Sequence, residues 1–217
     1  MRISAGRLVL GALIGAIGST SARASECGDL RAPIRPGDVP CLTNELINHH
    51  FPELDTAWRQ GRIRFREFDS NAYYLKTSFS AGRLSRDPSQ REYSIDVNPG
   101  IYDVAQTPSG PPSVAAIQGI LAHELWHLVD YETSSVIGIL RLGTDLLLHP
   151  ARVERRTDLR AFARGFAESI KAYRVWIYGK LSPRQMRVKR ARYFTPEEID
   201  DWCSRHPGCF PPGTSFE

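Results

Sequence analysis

The chain has 217 residues, of which 41% are hydrophobic and 24% charged, with a formal net charge of +4. This balance describes a globular chain with enough apolar material for a core and excludes low-complexity and collagen-like proteins. Arg2, Arg7 and Arg23 account for three of the four net charges; without residues 1–24, which hold no acid, the charge is about +1, and the pI near 9.0 ceases to argue for a nucleic-acid partner.

Arg2 and Arg7 precede the apolar run from Leu8 to Gly18, and Ala22-Arg23-Ala24 follows as a small-x-small site. That is the pattern of a signal peptide cleaved after Ala24, and the run is too short to span a bilayer. A secreted or periplasmic domain of 193 residues (217 − 24), residues 25–217, is expected, with no stable membrane anchor after cleavage. Cys27, Cys41, Cys203 and Cys209 all remain in it. In an oxidising compartment they should form disulfides. Of the three connectivities open to four cysteines, local pairing, 27 with 41 and 203 with 209, which closes short loops at the two ends, is expected.

Residues 25–41, with Pro33, Pro36 and Pro40, read as an irregular arm, followed by a short helix near Leu42 to His50 that leaves His49 and His50 at the surface. Strands are expected at Ile63–Arg66, Ala72–Leu75 and Tyr93–Asn98. The last alternates apolar and polar residues as a half-buried strand does, and ends at the Asn98-Pro99-Gly100 turn. From Ser113 onward Val114, Ile117, Leu121, Leu125 and Leu128 keep helical spacing. The apolar stretch Val136–Leu148, interrupted by Gly138 and Gly143, reads as a buried helical hairpin or a pocket wall, and as a possible lid.

Pro150 suits the first turn of one long helix with the stripe Leu159, Phe162, Phe166, Ile170, Tyr173 and Ile177. The basic run Lys180, Arg184, Arg187, Lys189, Arg190 and Arg192 reads as a solvated connector. Thr195-Pro196-Glu197-Glu198 carries the cap, first-turn proline and acidic start of a last helix. The fold expected is α+β and zincin-like: a small N-terminal sheet, an active-site helix and a mainly helical C-terminal half.

The chemistry concentrates in His123-Glu124-Leu125-Trp126-His127. Residues four apart on a helix share a face, so both imidazoles can hold one zinc ion, leaving positions for a third protein ligand and a water. Glu124 can reach that water as general base without occupying a ligand position. Leu121, Leu125 and Leu128 lie roughly opposite the histidines and anchor the helix, while Ala116 and Gly119 leave room above a metal. The best third ligand downstream is Glu154, with Asp158 four residues on as partner for a histidine ring N–H. Asp158 and His149 are the other candidates for the third ligand.

H-E-x-x-H followed by a helix with E-x-x-x-D resembles the gluzincin group of zinc metallopeptidases, over roughly residues 92–178. The resemblance implies zinc held by His123, His127 and Glu154, Asp158 orienting His123, and Glu124 as base. It implies a peptide or protein substrate, cell-wall peptide included, that could pair with the strand Tyr93–Val97. Tyr131, Tyr173, Tyr178, Arg155 and His206 are candidates for stabilising the oxyanion. Arg155 departs from the plan, lying in line with the apolar stripe. Two competing readings are a zinc-stabilised accessory protein without turnover and a helical interaction domain in which the motif is coincidental.

Overall fold

The computed structural model describes residues 27, 30, 33–70, 73–79, 87–102, 110–206 and 209. The expected signal segment lies outside them. Helix α1 spans Asp38–His50 and buries Val39, Leu42, Leu46 and Ile47. It starts earlier than expected, because Pro40 sits in its first turn, where a missing N–H costs nothing. His49 is exposed, and His50 is half-buried edge-on against Phe166. A 3-10 turn at Pro52–Leu54 and the short α2, Asp55–Arg59, lead into the sheet.

The sheet has three strands: β1 Ile63–Glu67, β2 Leu75–Phe79 and β3 Tyr93–Val97. β3 lies between the others, parallel to β1 (Phe65 opposite Ile95) and antiparallel to β2 (Thr77 opposite Ile95). Two expectations fail here. β3 is buried along its whole length rather than half-buried. Its polar side chain Asp96 is covered by Arg66, whose Nε and Nη2 donate at 2.9 and 3.0 Å, and by Ser78 at 3.1 Å. With both edges hydrogen-bonded, β3 also has no edge to offer a substrate; β2 is the neighbouring edge strand.

Helix α3, Val114–Thr133, runs through the core. Ser113 Oγ caps it by accepting from Ala116 N–H at 3.1 Å. At its other end Arg91 Nη1 donates to the carbonyls of Tyr131 and Ser134, both at 2.7 Å. Burial is not confined to the leucine face: His123, Glu124 and His127 are buried as well, because α5 and α6, described next, cover the histidine side. Gly119 makes room for α6, not for a metal; a Cβ there would lie 2.3 Å from the backbone of Ser169.

Helix α4, Val136–Leu148, is a single helix rather than a hairpin. It buries Ile139 and Leu142 but leaves Ile137 and Leu147 78% and 80% exposed. The expected long helix after Pro150 is two helices, α5 Pro150–Phe162 and α6 Ala167–Tyr178. Between them Gly165 adopts φ +86°, Phe166 N–H bonds to Ala161 C=O at 3.1 Å, and Gly165 N–H bonds to Phe162 C=O at 2.9 Å. This is a Schellman stop, which glycine alone enters without a Cβ penalty. The break turns α6 back across α3, and Leu159, in the expected stripe, is left 39% exposed.

Helices α7, Pro183–Arg192, and α8, Pro196–Arg205, each begin with a capping box and a first-turn proline. Both cysteine pairs are local, Cys27–Cys41 and Cys203–Cys209, with Cα separations of 5.7 and 5.3 Å. Two disulfides fit an oxidising compartment. No described helix is long and apolar enough to cross a membrane.

Candidate functional site

His123 and His127 project from adjacent turns of α3 toward α5, where Glu154 sits in the second turn. The three groups converge. His123 Nε2 is 3.1 Å from Glu154 Oε2, His127 Nε2 is 3.3 Å from the same oxygen, and the two Nε2 atoms are 3.2 Å apart. A tetrahedral zinc bonded at about 2.0–2.1 Å holds its ligand atoms about 3.3 Å apart. The triangle therefore has the edge length of one face of such a site, and two imidazole nitrogens with a carboxylate oxygen are a zinc donor set. Among the described residues one other group, Glu168 with Cys203 and Cys209, has comparable spacing, but its sulfurs are joined in a disulfide.

Behind the triangle, the His123 Nδ1–H donates to Asp158 Oδ1 at 2.7 Å. Arg174 Nη2 donates to the same carboxylate at 3.1 and 3.3 Å, and Phe194 N–H at 3.3 Å. Asp158 is wholly buried and Arg174 is 3% exposed. Such a pair survives in a core because its charges are matched and Asp158 is fully hydrogen-bonded, although Arg174 Nε has no partner among the described residues. The hydrogen bond leaves Nε2 of His123 as the atom facing the triangle, which is how outer carboxylates orient metal-binding imidazoles.

The electrostatics follow from this packing. Burial opposes a charge on His123, but the charge of Asp158, its hydrogen bond and Glu154 outweigh it, lifting the pKa from 6.5 to about 10. Burial likewise opposes ionisation of Glu154, and hydrogen bonds from His123 and His127 hold it well below the usual carboxylate range. Asp158 is also lowered: burial opposes its charge, while Arg174 and His123 favour it.

Glu124 points away from the triangle's rear and into a cleft of about 460 Å³ that it lines with Thr77, His127, Tyr131, Glu154 and Tyr193. One carboxylate oxygen, Oε2, accepts from Thr77 N–H at 2.8 Å and from Thr77 Oγ1 at 2.9 Å. The edge strand β2 thus fixes the Glu124 side chain and leaves Oε1 with no protein hydrogen bond among the described residues. Leu146 of α4 lines the same cleft, so the apolar segment Val136–Leu148 is, in part, a pocket wall.

Of the alternative third ligands, His149 is exposed at the α4–α5 junction outside the cluster, and Asp158 bonds to the far nitrogen of His123. Among the oxyanion candidates Tyr131 lines the cleft. Arg155 instead pairs with Glu198 at 2.7 Å and stacks over Phe194, and His206 stacks on Trp202 at the far end of α8. Tyr173 and Tyr178 are buried on α6 and do not line the cleft.

Sequence reasoning missed Thr77, Tyr193 and Arg192, all of which line the cleft, and Lys189 beside it. Tyr193 lies edge-on to the His123 ring, with centroids 5.8 Å apart. Met186, Lys189 and Tyr193 recur at helical spacing after the Ser182-Pro183 cap, a signal that this basic run is a helix with an inward face. No family model, curated protein or solved structure matches the chain.

Proposed function

We propose that this chain is an exported zinc-dependent hydrolase of peptide bonds, with a gluzincin-like site and a zincin-like arrangement of sheet and active-site helix. The observation that carries the reading is the convergence of His123, His127 and Glu154 with zinc-ligand spacing, backed by Asp158 on His123. Bound there, zinc would supply Lewis-acid polarisation of a carbonyl and a water acidified toward neutral pH. The remaining work falls to the chain. Glu124, anchored through Oε2 by Thr77, presents Oε1 to the cleft as the base that takes a proton from the attacking water and returns it to the departing amine. Tyr193 and Tyr131 flank the cleft and can donate hydrogen bonds to the oxygen that gains charge. An extended substrate would run beside β2, whose Leu75, Lys76 and Thr77 line the cleft. The two disulfides support an oxidising, exported setting.

The test is zinc stoichiometry together with Glu124→Gln. One zinc per chain is expected in both proteins, with turnover on a peptide library reduced by about 10²–10⁴-fold in the variant, the range for a lost general base. Zinc bound without hydrolysis, and no effect of the substitution, would favour an accessory protein. A folded chain that takes up no zinc would favour the interaction-domain reading.

A further inference from the structure

Most half-buried or buried basic side chains of the described fold meet a carboxylate. Arg62 pairs with Glu132, Arg155 with Glu198, Arg160 with Asp130, Arg164 with Glu53 and Arg174 with Asp158. Lys189 and Arg192, three residues apart at the end of α7, do not; no carboxylate of the described residues lies within ion-pair distance of either. Arg192 lines the cleft beside Glu154 and Tyr193. Its partners are hydroxyls rather than acids: Tyr73 Oη, at a long 3.4 Å from Nη1, and Tyr193. Lys189 Nζ lies 3.9 Å from the centre of the Tyr73 ring and 5.1 Å from that of Tyr193.

Cation–π contacts offset only part of the cost of taking an ammonium out of water. Burial and the nearby Arg174 push the Lys189 pKa down to about 8, as expected of a cation without a counter-ion. Glu124, Glu154 and Asp69 are the acids of the same cleft; Glu124 is anchored by Thr77, Glu154 faces the histidines, and Asp69 makes no ion pair with either cation. Among the described residues Arg91 is also buried without a carboxylate, but its Nη1 is satisfied by the carbonyls of Tyr131 and Ser134; Arg192 on the cleft wall and Lys189 beside it have no such acceptors and form a site for an anion from outside.

We propose that Arg192, on the cleft wall, and Lys189, behind Tyr73 and Tyr193 beside it, form a carboxylate-binding subsite at the edge of the cleft, so that the preferred peptide carries an anionic group beside the bond that is cut. That group is either the C-terminal carboxylate or an Asp or Glu side chain. The inference rests on the hydrolase reading for its substrate, while the subsite itself rests on the two cations.

The experiment has a turnover arm and a binding arm. Zinc-loaded protein is given matched peptides with free-acid or amidated C-termini, each with Glu or Gln near the centre. Anionic peptides should show kcat/KM about 10- to 100-fold above their neutral partners, mainly through KM. Amidation abolishes the preference if the terminal carboxylate is read, and Glu-to-Gln exchange abolishes it if a side chain is read. In Lys189→Met and Arg192→Met, which keep apolar stems, the acid-to-neutral ratio should fall toward one with zinc content retained. The binding arm measures the same acid and amide peptides by calorimetry on Glu124→Gln protein, where no turnover is needed. Equal binding of acid and neutral peptides, or ratios untouched by both variants, overturns the subsite. Absence of zinc or of all hydrolysis overturns the parent reading and leaves the binding result to decide the subsite.

Discussion

Replacing Asp158 with Asn isolates the part of the site that sequence spacing alone suggested least strongly. The carboxylate has two duties: it accepts the His123 Nδ1–H at 2.7 Å, and it neutralises Arg174, which is 3% exposed. Removing one member of a buried ion pair costs about 3–5 kcal/mol, because the partner is left charged and unmatched. Asn is close in shape and can still accept one hydrogen bond, so a loss near 3 kcal/mol is expected. The second duty is read by the metal. Loss of the outer carboxylate on a ligand histidine lowers affinity about 10- to 100-fold, or about 1.4–2.8 kcal/mol. Denaturant unfolding in chelator reports the first effect, and zinc competition against a chromogenic chelator on folded protein reports the second. Asp158→Asn/Arg174→Met separates them: with the stranded cation gone, stability should recover in part while zinc affinity stays low. The reasoning is refuted if Asp158→Asn binds zinc as tightly as the parent protein, or if the double variant is no more stable than the single one.

Thr77→Val keeps the backbone N–H on Glu124 but removes the Oγ1 donor at 2.9 Å; kcat should fall about 10-fold with zinc content unchanged, since one charge-assisted hydrogen bond holds the base in place, and Thr77→Ser should restore it. Gly119→Ala should destabilise the fold by about 3 kcal/mol, measured by denaturant unfolding, because the new methyl meets rigid α6 backbone at 2.3 Å. The metal-free protein should respond to pH through His123, whose pKa rises from 6.5 unfolded to about 10 folded. That contribution is complete below pH 6.5 and is lost as pH rises toward 10, so melting in chelator should fall across that interval. Zinc must displace the same proton, so apparent affinity should strengthen as pH rises over it; a pH-independent affinity would contradict the assigned ligand.

Much of the site was legible because it is local. His123 and His127 are one helical turn apart, and turn geometry alone puts them on one face whatever surrounds them. The caps at Ser113, Thr195 and Pro150 act within a few residues of themselves, and each begins a helix where expected. Local cysteine pairing needed only short loops. Glu154 and Asp158 were recognisable as a spaced pair, but their meeting with α3 depends on how two helices cross.

Tertiary packing decided the rest. A helical stripe continues through Phe166 in the sequence, yet the Schellman stop at Gly165 ends α5 and turns α6 back across α3 at Gly119. Alternation in Tyr93–Val97 indicates a strand but not its neighbours, and a place between β1 and β2 buries both its faces and closes both its edges. Thr77 lay beyond the strand expected at Ala72–Leu75; β2 in fact spans Leu75–Phe79, and only its packing against α3 brings Thr77 to Glu124. Lys189 and Arg192 belonged to a basic run that solvent could have taken; packing draws them inward against Tyr73 and Tyr193, Arg192 onto the cleft wall and Lys189 beside it. His123-Glu124-x-x-His127 was written in the chain as a helix face, since i, i+4 spacing is a property of the backbone. Which third ligand completes it, what holds the base and which charges border the cleft are contacts between residues far apart in sequence, and only the packed structure brings them within reach.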